Sequence, residues 1–170
     1  DEGISLAINS GDLYVETAAR DIFPFIRQAR ILAAKFDAVV ANPPYMGSNY
    51  INSILKGYLK SSLKDGEKDV FAASIIRYRW FVKKSGFLAC VCPFNWMYTT
   101  SFVKLRDFMF KEGSVCTLVK PSYTAFFDSA VVSLCAFTYK VNSLDYNGDY
   151  FDLGYLGSAE SQPGKFVDAI

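Results

Sequence analysis

The sequence predicts an α/β domain whose sheet is parallel in its first part and ends in an antiparallel edge pair of strands. Three observations carry this. Residues 36–41, 86–92, 114–120 and 131–139 are apolar runs of strand length. Stretches with helical spacing separate the first three of these runs, as a parallel sheet with crossover helices requires. The last two are joined by residues 121–130, which carry no helical pattern, so they pair antiparallel.

In chain order, residues 4–9 read as a short strand closed by Ser10-Gly11-Asp12. A helix is expected over 17–35, disturbed by Pro24. The strand at 36–41 is stopped by Asn42-Pro43-Pro44-Tyr45. A more polar segment, 46–68, follows, with Gly47, Gly57 and Gly66 and with Lys56, Lys60 and Lys64 spaced to line one helical face as a solvated stripe. Asp69 is a good N-cap for a helix over 70–84, which repeats Phe71, Ile75, Tyr78 and Phe81/Val82. After the strand at 86–92, Thr100 or Ser101 caps a helix through Lys111, and Gly113 ends it. The tail from Asn142 is rich in Gly, Tyr and Asp, with one more short strand near 150–155.

Composition narrows the function. A chain of 170 residues, 51% hydrophobic and 21% charged, fits one packed domain that buries roughly two thirds of its unfolded surface. A net charge of +1 gives no global signal for nucleic acid. Histidine is absent, which removes Ser-His and Cys-His nucleophile pairs and histidine metal sites. Cys90, Cys92, Cys116 and Cys135 contain no CxxC pair, so no metal is expected. They read as small buried apolar residues of a reducing cytoplasm. No run reaches the roughly 18 apolar residues of a membrane span, and Asp1-Glu2-Gly3 is no signal peptide.

The segment that carries chemistry is Phe36-Asp37-Ala38-Val39-Val40-Ala41-Asn42-Pro43-Pro44-Tyr45. An Asn-Pro-Pro-aromatic string arises by chance in roughly one chain in a thousand of this length. Here it directly follows a buried strand, where α/β folds place ligand sites. An exocyclic amino group on a purine is a poor nucleophile because its lone pair is delocalised into the ring. Two acceptors aimed at its N–H bonds draw it toward tetrahedral geometry and free the lone pair. Asn42 offers a side-chain carbonyl and Pro43 a backbone carbonyl. Each precedes a proline, which holds the backbone extended. The proline rings fix φ and bring no N–H groups that could occupy those carbonyls. Tyr45 adds a flat face for a base. No general base is required, because the proton can leave after methyl transfer. A strand-ending Pro-Pro turn with a packed tyrosine would give the same string without any of this chemistry.

The segment resembles motif IV of amino-methyltransferases, in the Asn-Pro-Pro-Tyr form of adenine-N6 enzymes. Ala41-Asn-Pro-Pro-Tyr-Met-Gly47, Asp69-Val-Phe-Ala-Ala73 and Pro93-Phe-Asn-Trp-Met97 are most similar to the PglX family of BREX phage-defence systems, relatives of large type II methylase subunits. The resemblance implies a Rossmann-like S-adenosylmethionine-dependent methyltransferase core that transfers methyl to adenine N6 in double-stranded DNA, with Asn42, Pro43, Pro44 and Tyr45 as catalytic residues. It implies that Asp12, with Leu13 after it, contacts the adenine of the cofactor. It also implies that Phe127, beside Phe126, stacks on the face of a flipped adenine opposite Tyr45. Residues 1–141 then correspond to a partial catalytic domain from the motif III region onward, and 142–170 to an extension leading toward a target-recognition region.

No Phe-x-Gly-x-Gly string occurs in the chain, so the glycine-rich motif I that holds the methionine end of the cofactor is expected upstream. The chain alone is expected to be inactive. The same motif serves RNA and protein-glutamine amino-methyltransferases, from which Phe127 would distinguish a DNA enzyme. A non-catalytic domain that binds DNA or proteins of a defence complex is the rival from another class.

Overall fold

The computed structural model describes residues 2–123, 132–143, 145–155 and 159–170. The chain forms two compact units, residues 1–35 and 36–170.

The first unit is a pair of helices, α1 (Glu2–Ile8) and α2 (Leu13–Ala33). The strand expected at 4–9 is therefore a helix. Ile4, Leu6 and Ile8 alternate as in a strand, but Ile4, Ala7 and Ile8 also recur at helical spacing, and these three are the half-buried ones. A lone strand here would leave its backbone donors unpaired, whereas a helix satisfies them internally. The Asn9 side chain donates back to Ser5 O at 2.8 Å. Gly11 then turns the chain at φ +79, a left-handed value glycine adopts without strain. Asp12 caps α2, its Oδ1 accepting from Tyr14 N at 2.9 Å and Val15 N at 3.2 Å. Pro24 lies inside α2.

The second unit is built on a five-stranded sheet in the order β1-β2-β4-β3-β5. The strands are β1 (Phe36–Ala41), β2 (Val82–Pro93), β3 (Gly113–Lys120), β4 (Leu134–Val141) and β5 (Asp149–Asp152). β1 runs parallel to β2, and β3 parallel to β5. β4 runs antiparallel to both β2 and β3. The expected antiparallel pair is thus present, but it is not the edge. β4 fills the middle of the sheet, and β5 closes the far side.

This order has a consequence for the site. With only β4 reversed, the carboxyl ends of β1, β2 and β3 lie along one edge, beside the start of β4. The peptides that leave those strands, after Ala41, Pro93 and Lys120, therefore converge there, as ligand loops do in α/β sheets.

One face of the sheet carries the core. Leu88, Cys90 and Cys92 of β2, Leu118 of β3 and Cys135, Phe137 and Tyr139 of β4 point inward. They meet Phe71, Ala72, Ile75 and Ile76 of α4 (Val70–Phe81) and Leu105 and Met109 of α5 (Val103–Glu112). Each fully buried side chain of this size stabilises the fold by about 1.5–3 kcal/mol. All four cysteines are free and buried, as their surroundings in the sequence predict.

The polar segment holds a further helix, α3 (Ser53–Ser62), capped by Asn52. Leu59 within it and Leu63, the residue that caps its end, are buried. Lys56 and Lys60 are exposed on it, but Lys64 falls in the 3-10 turn beyond its end, so the three do not share one helical face. A last helix, α6 (Gln162–Ala169), follows β5. Among the described residues no helix is long and apolar enough to cross a membrane.

Candidate active site

The strand leads straight into the site. β1 pairs with β2 as far as Ala41 opposite Cys90, and Asn42 is the last residue able to donate before two prolines end the ladder. The Pro43 ring is fully buried and anchors the turn, while Asn42, Pro44 and Tyr45 stay exposed. The motif therefore holds one proline in the core and offers its polar and aromatic groups to solvent.

Tyr45 folds back toward the sheet. Its hydroxyl lies 2.8 Å from Asn42 Oδ1 and 3.2 Å from the carbonyl oxygen of Val91 in β2. One face edge of its ring meets Phe71 of α4, centroids 6.4 Å apart and perpendicular. Desolvation raises the Tyr45 phenol above its ordinary value, and the thiols of Cys92, Cys135 and Cys90 push the same way. At neutral pH the group is a hydroxyl donor. Ring and hydroxyl are thus fixed by β2 and α4, while 40% of the residue remains accessible, a surface on which a planar ligand could stack.

Past Tyr45 the loop is stitched to the start of α4. Met46 N donates to Asp69 Oδ1 at 2.9 Å. Val70 N donates to Met46 O at 3.0 Å, and Ser48 N to Lys68 O at 3.1 Å. Asp69 is the N-cap expected from the sequence, accepting from Phe71 N at 3.1 Å. Its bond to Met46, 23 positions away, has no local sequence signal. Val91 is likewise a contributor that sequence reasoning missed, because it acts through its backbone.

Other groups gather at the same edge. Phe94 N donates to Ser133 O at 2.8 Å, which joins the end of β2 to the entrance of β4. Phe94, Met97, Leu118, Tyr150 and Phe151 line an apolar cavity of about 180 Å³. On its rim the Lys120 ammonium pairs with Asp152 at 2.8 Å and sits 5.2 Å over the Phe94 ring. Phe126 and Phe127 lie outside the described residues.

Asp12 and Leu13 belong to the other unit. Asp12 is exposed and uses Oδ1 to cap α2, and the Leu13 side chain beside it is 74% exposed. A carboxylate next to an apolar side chain suits the amino edge and the face of an adenine ring. A Cβ added at Gly11, the residue before Asp12, would meet nothing within 4 Å, so the turn is open on that side.

The architecture is that of class I S-adenosylmethionine-dependent methyltransferases. The chain superposes on such a structure from Listeria monocytogenes with a TM-score of 0.58, at 16% identity, over 79% of this chain and 42% of that one. It matches the Type ISP restriction-modification enzyme LlaGI, solved as a nuclease-deletion mutant with a DNA substrate mimic, at TM-score 0.62 and 16% identity over 94% and 18%. A type I restriction-modification methyltransferase subunit from Streptococcus thermophilus gives 0.56 at 18% identity over 80% and 32%.

The family follows from the sequence. Residues 8–127 match the Eco57I restriction-modification methylase model, and the chain belongs to that family. It is 36% identical over 134 residues to the adenine-specific methyltransferase BrxX of Escherichia coli O9:H4 (strain HS), covering 78% of this chain and 11% of BrxX. It is 26% identical over 148 residues to the adenine-specific methyltransferase PglX of Lacticaseibacillus casei (strain Zhang), covering 85% and 12%. The chain spans about a tenth of the length of these relatives, 11% and 12%.

Proposed function

We propose that the protein carrying this chain transfers a methyl group to adenine N6 in double-stranded DNA, in restriction-modification or phage defence, with the target base flipped out of the helix. The observation that carries this reading is the placement of Asn42 to Tyr45 on the carboxyl edge of a methyltransferase-type sheet, with Pro43 buried and Asn42 and Tyr45 exposed.

In this reading Asn42 Oδ1 and the Pro43 carbonyl accept from the adenine amino group and localise its lone pair. Pro43 and Pro44 keep the two acceptors stiff, so little reorganisation is needed when the base arrives. Tyr45 stacks on one face of the base and Phe127 on the other. Extrusion costs a few kcal/mol, and these contacts recover it. S-adenosylmethionine, when bound, supplies an electrophilic methyl group on a sulfonium. Asp12 and Leu13 hold its adenine, and residues outside the 170 hold its methionine end. The reaction belongs in the cytoplasm, where DNA and reduced thiols coexist, with proteins of a defence complex as further partners.

The test uses the full-length polypeptide and its Asn42→Ala variant on duplex DNA, scored for N6-methyladenine. Because Asn42 is exposed, the variant should fold normally while losing about a hundredfold or more in rate. Near-normal methylation by the variant would remove Asn42 from the reaction. Methylation of RNA or of a protein glutamine, but not of DNA, would replace the substrate and keep the chemistry.

A further inference from the structure

Asp69 does two things with one carboxylate oxygen. Oδ1 accepts from Phe71 N at 3.1 Å, which caps α4. It also accepts from Met46 N at 2.9 Å, the amide that directly follows Tyr45. Around this contact, Gly47 and Asp69 form an isolated antiparallel bridge. A cap needs only one short acceptor, and serine serves as well as aspartate. The reach to Met46 goes beyond what capping requires.

The effect on Tyr45 follows from peptide geometry. Met46 N belongs to the same planar unit as the Tyr45 carbonyl, so fixing that N–H fixes ψ of Tyr45. At the other end of the side chain, the hydroxyl is held by Val91 O and Asn42 Oδ1. The aromatic ring is therefore fastened from its backbone and from its tip. Asn42 is tied to the same ring. Asp69 is half-buried, and its carboxylate makes charge-assisted bonds to both amides.

We propose that Asp69 is a positioning residue for methyl transfer, setting the stance of Tyr45 and Asn42 through the Met46 amide, separately from its role as a helix cap. This rests on the methyl-transfer reading above.

Three variants of the full-length protein separate the roles. Asp69→Ser keeps a capping oxygen but is too short to reach Met46. Asp69→Asn keeps a side-chain carbonyl that can serve both amides. Asp69→Ala removes both. Hydrogen exchange reports the anchoring without reference to chemistry, and kcat and KM on a duplex report the consequence. For Asp69→Ser, exchange at the Met46 amide should accelerate about tenfold or more, with the first turn of α4 still protected. Its kcat should fall by up to about a hundredfold, the scale of a small misplacement at a reacting centre, while KM for the cofactor holds. Asp69→Asn should restore both readouts most of the way.

Normal kcat in Asp69→Ser despite faster Met46 exchange would overturn the positioning role. Unchanged Met46 exchange would overturn the contact itself. Equal loss of α4 protection in the serine and asparagine variants would leave Asp69 a structural residue, which also overturns the proposal. Should the wild-type protein fail to methylate adenine at all, the methyl-transfer reading falls, and the exchange data still decide the anchoring.

Discussion

The Tyr45 hydroxyl lies 2.8 Å from Asn42 Oδ1, so the acceptor that the proposed chemistry needs is already held by a donor from its own loop. A phenol carries one hydrogen, and Val91 O, at 3.2 Å, is its alternative acceptor. When an amino group reaches Oδ1, the Tyr45 hydrogen can pass to Val91 O without leaving any group unpaired. The exchange keeps the Asn42 amide oriented before and after base arrival.

Tyr45→Phe keeps the ring and deletes that donor. It should lower the methylation rate of the full-length protein by no more than about tenfold, the scale of one ordinary hydrogen bond. Tyr45→Ala should lose a further 1–3 kcal/mol or so of base stacking. Fluorescence of 2-aminopurine at the target position measures base capture. An equal loss of signal response in both variants would assign the effect to the hydroxyl and not to the ring.

Two glycines should respond in opposite directions to alanine. At Gly113, where β3 begins, a Cβ would strike the Lys140 carbonyl oxygen and stand 2.8 Å from Tyr139 Oη. Gly113→Ala should destabilise the fold by about 1–3 kcal/mol or more. At Gly57, inside α3, a Cβ meets nothing within 4 Å. Gly57→Ala should stabilise by about 1 kcal/mol. Urea midpoints at constant slope check both, and a shift of the same sign in the two variants would refute the packing described at one of them.

Stability should decline in alkali. Burial pushes the Cys90 thiol up to about 12, with Cys135 adding to the shift. Burial likewise raises Cys92 and the Tyr139 phenol. In each case the folded state holds its proton longer than the unfolded chain. For the thiols that stabilisation is complete below their ordinary value of 9.0 and is lost as pH rises from there, and for Tyr139 the loss begins at the ordinary phenol value of 10.0. Each such group contributes a slope of about 1.4 kcal/mol per pH unit within its window. Denaturation midpoints measured from pH 7 to 11 should fall steepest above 9. The Cys90 and Cys92 thiols should also resist alkylation at pH 8 until denaturant is added, because a neutral buried thiol is unreactive.

Much of this fold can be read from its residues. The apolar runs that became β1 to β4 are short and bounded by Gly, Pro or Asn, and Asp69 marks the start of α4 unambiguously. Segment 4–9 was ambiguous because its apolar residues satisfy period 2 and period 3.6 together, and the availability of internal backbone bonds decided for the helix. α3 shows in the sequence only through the spacing of its lysines, although Leu55, Leu59 and Leu63 also recur every four residues. For the site, Asn42 to Tyr45 were legible because chemistry restricts residue type there. The contributions of Val91 and Asp69 were not. One acts through a carbonyl that any residue possesses, and the other reaches across 23 positions of sequence.

The central place of β4 bears on how the chain is made. β2 ends at Pro93, and its partner on the far side begins at Leu134. At about 5–20 residues per second of synthesis, that flank of β2 waits roughly two to eight seconds for its match. During the wait, Phe87-Leu88-Ala89-Cys90-Val91-Cys92 is an uncharged strand with one open side, the kind of segment that recruits its like from other chains. Nascent-chain crowding should therefore select for whatever shields this stretch until residue 141 has emerged.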